Sequence, residues 1–176
     1  MVYHVFMNIV IKGNRISLVH FENDMAFDVW QNSLDENNRK FVPDEVFETY
    51  EETAEVIKTI IKNYQTGECP LIYAVIRNDD NANMGYVQLV EIVEGFEVGY
   101  HIAQKYTNQG YASEALDLFI KYIKGNISIQ KLYGIALFSN KASIRVLLKN
   151  GFKIYFEGYS LYQGKRRKII KSIKNI

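Results

Sequence analysis

Two short stretches of the chain hold residue types suited to binding an anionic group and to moving protons. The first runs Phe96-Glu97-Val98-Gly99-Tyr100-His101-Ile102 and then, after a polar loop, Thr107-Asn108-Gln109-Gly110-Tyr111-Ala112-Ser113-Glu114-Ala115. Its form is strand, short polar loop, small residues, helix. The first N–H groups of a helix have no partner within it, and together with the helix dipole they make an anion site. Gly110 lets a phosphate come close to the backbone, and Ala112 keeps the first turn slim. A lone glycine serves equally well as a tight strand-to-helix turn. The chain contains no Gly-x-x-x-x-Gly-Lys-(Ser/Thr) phosphate loop and no Gly-x-Gly-x-x-Gly dinucleotide turn.

The second stretch is Ser139-Asn140-Lys141-Ala142-Ser143-Ile144-Arg145, followed by Lys149-Asn150-Gly151-Phe152. Ser139 or Asn140 suits an N-cap, Ile144, Leu147 and Leu148 are expected to line one buried face, and Gly151 ends the helix. A plain capped helix accounts for most of these residues. Cys69 is the only cysteine and precedes Pro70, with no histidine near it in sequence. It reads as inert, and neither an intramolecular disulfide nor a cysteine metal cluster can form. No His/Asp/Glu grouping has metal-ligand spacing, so a metal-free protein is expected.

The phrase Gly110 to Ala115, Gly-Tyr-Ala-Ser-Glu-Ala, resembles the acetyl-CoA motif of the GNAT superfamily of N-acetyltransferases, commonly (Gln/Arg)-x-x-Gly-x-(Gly/Ala). It is closer still to the RimJ/RimL-like branch, where Gly-Tyr-Ala-(Thr/Ser)-Glu-Ala is frequent. Asn140, Ser143 and the later Gly151-Phe152 form a second match to that family, in the same order along the chain. Thr107 and Asn108 depart from the pattern, standing where relatives carry Gln or Arg and often Gly. Loss of an arginine there removes one charge contact and leaves the backbone cradle. The resemblance runs from about Asn8 to the C-terminus, includes Phe41-Val42-Pro43-Asp44, and is most specific from Glu97 to Phe152.

The resemblance implies an acetyl-CoA-dependent N-acetyltransferase in which a primary amine, on a protein N-terminus or a small molecule, attacks the thioester directly. The alternative is a catalytically idle acetyl-CoA-binding module of the same fold. Thr107, Asn108, Gln109, Gly110, Tyr111, Ala112 and Ser113 are the implied pyrophosphate cradle. Backbone N–H groups of Tyr100, His101 and Ile102 are the implied partners of the pantetheine arm and of the oxyanion. Family members often carry an acid at the position of Glu97, which makes it the leading general base; a paired strand carboxylate is the plain reading of the same residue. His20 and His101 are alternatives, and His4 reads as an uninvolved terminal residue. Ser143 resembles the serine that protonates the departing thiolate, and Asn140 the asparagine that contacts the cofactor arm. Tyr133, Tyr155 and Tyr159 are weaker donors of the same kind.

The elements that must position these residues are legible from periodicity. A strand from Ile16 to Phe21 leads to a helix opening at Asn23 or Asp24 and passing Trp30. Asn32 to Phe47 is polar, holds Pro43 and reads as loop. Thr49 and Glu52 form a capping box that opens a second helix. Strands Leu71 to Arg77, Met84 to Ile92 and Phe96 to Ile102 form an antiparallel meander. A helix from Gly110, closed by Gly125, precedes a strand from Leu132 to Phe138 and a helix from Asn140 to Asn150. Phe152 to Phe156 and Arg167 to Ile173 close the chain as a hairpin. The fold class is α+β; as a GNAT fold it has a mixed, mostly antiparallel central sheet of about seven strands flanked by about four helices.

With 176 residues, 48% of them hydrophobic, and no linker-like tract, residues 1–176 are expected to fold as a single domain. Met1 to Phe6 has no signal-peptide pattern and apolar runs are short, so a cytoplasmic location without a membrane partner is expected. Net charge is +1, yet Lys141 to Ile176 carries ten Lys/Arg against the single acid Glu157, and Asp35 to Glu55 carries eight acids. Solvated faces are the plain reading of both. Arg167 to Lys174 alternates basic and apolar residues as a charge-protected edge strand does, so a nucleic-acid partner is not expected. The acidic segment favours a cationic amine acceptor, and a homodimer is compatible with the sequence.

Overall fold

The structure is a computed structural model that describes residues 7–176; His4 lies outside them. Eight strands form one sheet: β1 (Ile9–Lys12), β2 (Ile16–Val19), β3 (Leu71–Arg77), β4 (Asn83–Ile92), β5 (Gly95–Ile102), β6 (Lys131–Leu137), β7 (Lys153–Tyr162) and β8 (Lys165–Asn175). Five α-helices accompany them: α1 (Ala26–Ser33), α2 (Glu36–Phe41), α3 (Tyr50–Thr66), α4 (Tyr111–Asn126) and α5 (Lys141–Lys149). The strand order is β1-β2-β3-β4-β5-β6-β8-β7.

Strand alternation divides the core between the two faces of the sheet. Ile16 and Leu18 of β2 and Tyr73 and Val75 of β3 pack with α4, through Leu116, Phe119, Ile120 and Ile123. Their neighbours Val19, Ala74 and Ile76 pack with Met25 and with Ala26 of α1 and Ile57 and Ile60 of α3. Both faces of the centre are thus covered, which is why these strands read as nearly continuous apolar runs.

All neighbouring strands are antiparallel except β5 and β6, whose register contains the single pair Glu97 and Tyr133. Beyond it β5 stays with β4 as far as Ile102 opposite Gly85, while β6 stays with β8 as far as Leu137 opposite Ile169. Two parallel strands that follow different partners must diverge. The sheet opens between them.

Several expectations need correction. Asn32 to Phe47 is not all loop, because Asp35 caps α2 by accepting from the Asn38 N–H at 3.0 Å, and its other oxygen accepts from the Gln104 N–H at 2.8 Å. A capped turn held from outside needs no apolar stripe of its own. Thr49 Oγ1 accepts from the Glu52 N–H at 3.1 Å as expected, but Glu52 Oε2 accepts from Glu48 N–H instead of Thr49. Gly125 lies inside α4, which ends at the extended Ile127. β1 is too short to show a period. β7 runs on to Tyr162, and the hairpin turns at Gln163 and Gly164, both with positive φ. β8 is an interior strand between β6 and β7, so its basic residues do not mark an edge; Lys168 and Lys171 pair with Glu157 and Glu94.

β4 carries a bulge at Met84: Val75 faces Gly85 while Ile76 faces Asn83. Gly85 sits at φ +146°, and a Cβ there would drive into the backbone carbonyl of His101. Gly85→Ala is expected to lower stability by on the order of 1–3 kcal/mol, read as a reduced urea midpoint.

Candidate active site

The gap between β5 and β6 is a cleft of about 350 Å³. Its walls are the C-terminal halves of the two strands, the first turns of α4 and α5, α2 with the residues that follow it, and the end of the β7–β8 hairpin. Past Glu97, β5 has no ladder partner on the β6 side, so its outer row of backbone groups faces the cleft.

At one end lies the turn into α4. Asn108 has φ 62° and Gly110 φ 85°, two left-handed residues that swing the chain from the short turn Gln104–Tyr106 into the helix. Gly110 is the N-cap and supplies no side chain, so the leading N–H groups of α4 stay free of a cap. Thr107 Oγ1 donates to Gln104 O at 2.8 Å, so its hydroxyl is spent on the loop. Thr107, Asn108 and Ala112 line the cleft; Gln109, Gly110, Tyr111 and Ser113 do not. Tyr111 is buried, and Ser113 Oγ accepts from Asn150 Nδ2 at 3.2 Å, which ties α4 to α5.

Arg15 escaped the sequence reading. From the loop before β2 its Nη1 donates to Gln109 O at 3.1 Å, its Nε donates to Glu114 Oε2 at 2.7 Å, and its guanidinium lies 4.5 Å from the centre of the Tyr111 ring. A Cβ on Gly110 would come 3.5 Å from Arg15 Nη2. A guanidinium from a distant part of the chain thus stands beside the turn into α4, ion-paired with Glu114 at 2.6 Å. No local spacing could reveal it.

At the apex, Glu97 sits where the strands part. Burial pushes its carboxyl up to about 7, partly opposed by a backbone hydrogen bond from Ile135 and by Lys171. Tyr162, unforeseen in this role, lines the same cleft and is raised to about 12, first by burial and then by the charges of Glu97 and Glu45. His101 also lines the cleft; burial holds it down to about 4, outweighing Asp35, so it is neutral at physiological pH. His20 lies outside the cleft lining, its ring stacked 4.1 Å from that of Tyr64.

Across the cleft, Asn140 Oδ1 accepts from the Ser143 N–H at 3.1 Å, capping α5. Tyr100 Oη donates to Ser143 O at 2.8 Å and lies 3.0 Å from Ser143 Oγ. The one proton of Tyr100 is thereby committed to the carbonyl, which leaves the serine hydroxyl to donate to the phenol. Tyr100, His101, Ile102, Asn140 and Ser143 all line the cleft with Glu97. Tyr133, Tyr155 and Tyr159 do not, and Tyr155 and Tyr159 are exposed.

Residues 15–153 match the acetyltransferase (GNAT) domain. The chain belongs to the GNAT acetyltransferase family. An uncharacterized N-acetyltransferase of Bacillus subtilis, YnaD, is 26% identical over 149 residues, which cover 84% of this chain and 83% of that protein. The ribosomal-protein alpha-N-acetyltransferase RimL, solved in complex with coenzyme A, superposes with TM-score 0.80 at 18% identity, over 96% of this chain and 98% of that one. The microcin C7 self-immunity acetyltransferase MccE, solved with acetyl-CoA and AMP, superposes with TM-score 0.79 at 16% identity, over 93% and 94%. The GNAT fold and acyltransfer as the activity agree with the sequence reading; among the described residues the sheet has eight strands in place of seven, with five α-helices in place of four.

The raised carboxyl of Glu97 has a checkable consequence. Its folded value, about 7, lies above its ordinary 4.5, so the folded protein holds this proton more tightly than the unfolded chain. The stability this contributes is complete below about 4.5 and is lost as pH rises through about 7. Carbon-13 NMR of the Glu97 carboxyl is expected to titrate near 7, and Glu97→Gln to flatten the loss of stability across that window.

Proposed function

We propose that this GNAT protein is an acetyl-CoA-dependent N-acetyltransferase that transfers the acetyl group to a primary amine by direct attack. The observation that carries the reading is the placement of Glu97, a half-buried carboxyl that its surroundings push up to about 7, at the apex of the β5–β6 gap. The free N–H groups of α4 lie at the cleft's other end.

The pyrophosphate rests on the turn Thr107 to Ser113, held by backbone N–H groups of α4 and by the charge of Arg15. The pantetheine arm runs along the unpaired side of β5 and borrows its backbone hydrogen bonds as an added strand does, while Asn140 Nδ2 contacts it from α5. The acetyl carbonyl then lies between β5 and β6 near Glu97.

An alkyl ammonium titrates at about 10.4 and an α-amino group at about 7.7–8.0, so the acceptor must lose a proton before it can attack. Glu97, ionised in a large fraction of molecules at neutral pH, takes that proton directly or through one water. The amine nitrogen bonds to the carbonyl carbon, and backbone N–H groups of Tyr100 to Ile102 hold the oxyanion. When the carbon–sulfur bond breaks, the Ser143 hydroxyl turns from Tyr100 and donates its proton to the thiolate, and the proton that Glu97 took from the amine returns to Ser143 through solvent. Burial raises Tyr100 well above the usual phenol range, so it stays a neutral phenol bonded to the Ser143 carbonyl.

Thiol release from acetyl-CoA in the presence of a panel of primary amines tests the reading. Glu97→Gln is expected to lower kcat by about 10²–10⁴-fold with acetyl-CoA affinity unchanged. The wild-type kcat/KM should rise with pH to a plateau above about 7, following the carboxyl of Glu97. Tight acetyl-CoA binding without thiol release for any amine leaves the idle binding module as the correct reading. Arg15→Ala is expected to raise the Kd of acetyl-CoA by about tenfold, the equivalent of ~1.4 kcal/mol, with kcat retained.

A further inference from the structure

Five buried side-chain polar atoms among the described residues lack a partner. Four of them, Asn38 Oδ1, Glu45 Oε2, Asn83 Nδ2 and His101 Nε2, belong to residues lining one cavity of about 20 Å³ behind the cleft. A water needs roughly 10–15 Å³ and two to four polar partners. This cavity therefore fits one.

The hydrogen-bond inventory of the four atoms also balances. Asn83 Oδ1 already accepts from the Gly85 N–H at 3.1 Å, so its Nδ2 faces the cavity as a donor. Neutral His101, protonated on Nε2, is a second donor, while Asn38 Oδ1 and the Glu45 carboxylate are acceptors. One water can take two bonds and give two, which matches these two donors and two acceptors in number.

Asn38, Glu45 and His101 line the main cleft as well as the cavity. With that water in place, Glu45 would be held on both oxygens by neutral donors. Its Oε1 accepts from Gln88 Nε2 at 3.1 Å, and Gln88 reaches it by lying across Gly99, where a Cβ would come 2.6 Å from that nitrogen. No ion pair among the described residues includes Glu45. Its charge nevertheless reaches Tyr162 together with that of Glu97. A cation entering the cleft, which Glu45 helps to line, would supply the counter-charge that this carboxylate lacks.

We propose that Glu45 is a specificity-determining residue of the acceptor subsite, fixed by Gln88 and one ordered water, and that it binds the positive charge of a cationic amine. The inference rests on the N-acetyltransferase reading but is separable from it. Asp35 and its partner Gln104 hold α2 in place and so carry the wall from which Glu45 projects.

Spermidine and a short peptide amide with a free N-terminus are titrated by calorimetry into the coenzyme A-loaded protein, with thiol release measured in parallel. The wild type is expected to bind at least one of them. Glu45→Gln should weaken that binding at least about tenfold, raising KM with kcat nearly unchanged and acetyl-CoA binding intact. Gln88→Met, which leaves the Glu45 chain whole but loosens it, should weaken amine binding in the same sense and keep the inference testable if Glu45→Gln does not fold. A crystal structure should show the water bonded to the four atoms. Wild-type affinity in either folded variant, no binding of either amine to the wild type, or a dry cavity overturns the proposal. Amine binding without thiol release rejects the N-acetyltransferase reading alone.

Discussion

The structure depends on a pairing that stops. β5 and β6 meet at Glu97 and Tyr133 and then part, because each remains bonded to its other neighbour. A continuous parallel ladder would seal the sheet and bury its backbone groups in mutual hydrogen bonds. The break leaves a row of β5 donors and acceptors facing a cleft of about 350 Å³, which helices cap at both strand ends. Elements far from the chemistry serve this opening: the Met84 bulge and the glycine after it let β4 follow β5 to Ile102, and β8 carries β6 away.

Charge is graded along the opening. The turn into α4 combines helix N–H groups with Arg15 and suits phosphates. The opposite end carries the carboxyls of Glu97 and Glu45, both raised by burial, to about 7 and about 6. Under the proposed reading, a negatively charged cofactor and a positively charged acceptor are drawn to different ends and meet near the parting strands. Histidine contributes no charge here, since burial keeps His101 neutral. The basic C-terminal hairpin enters mainly through Lys171, which pairs with Glu94 at 3.0 Å and modestly offsets the rise at Glu97.

Sequence made legible whatever local periodicity or a contiguous phrase could carry. The meander, α4, α5 and the turn that opens α4 fall near their expected bounds because strand alternation, helical stripes and caps are short-range. The family phrase from Gly110 to Ala115 pointed to the cleft end that Thr107, Asn108 and Ala112 line. Contributions from distant segments stayed hidden. Arg15 reaches Gln109 and Glu114 over more than ninety residues, Glu45 reaches Gln88 over forty-three, and Gln163 donates from the hairpin turn to Phe41 O. α2 was missed for a related reason, since its stability comes from a cap and an external tie in place of an apolar face. Tyr100 was singled out for its backbone, and only the geometry revealed its phenol bonded to Ser143.

The most direct test is a crystal structure of the protein with coenzyme A. The account predicts the pyrophosphate on the N–H groups that open α4 beside Arg15, the pantetheine amides bonded to β5 beyond Glu97, and the thiol between Glu97 and Ser143. Coenzyme A bound outside the β5–β6 gap, or strands drawn together along their length with the cofactor on the surface, would contradict it.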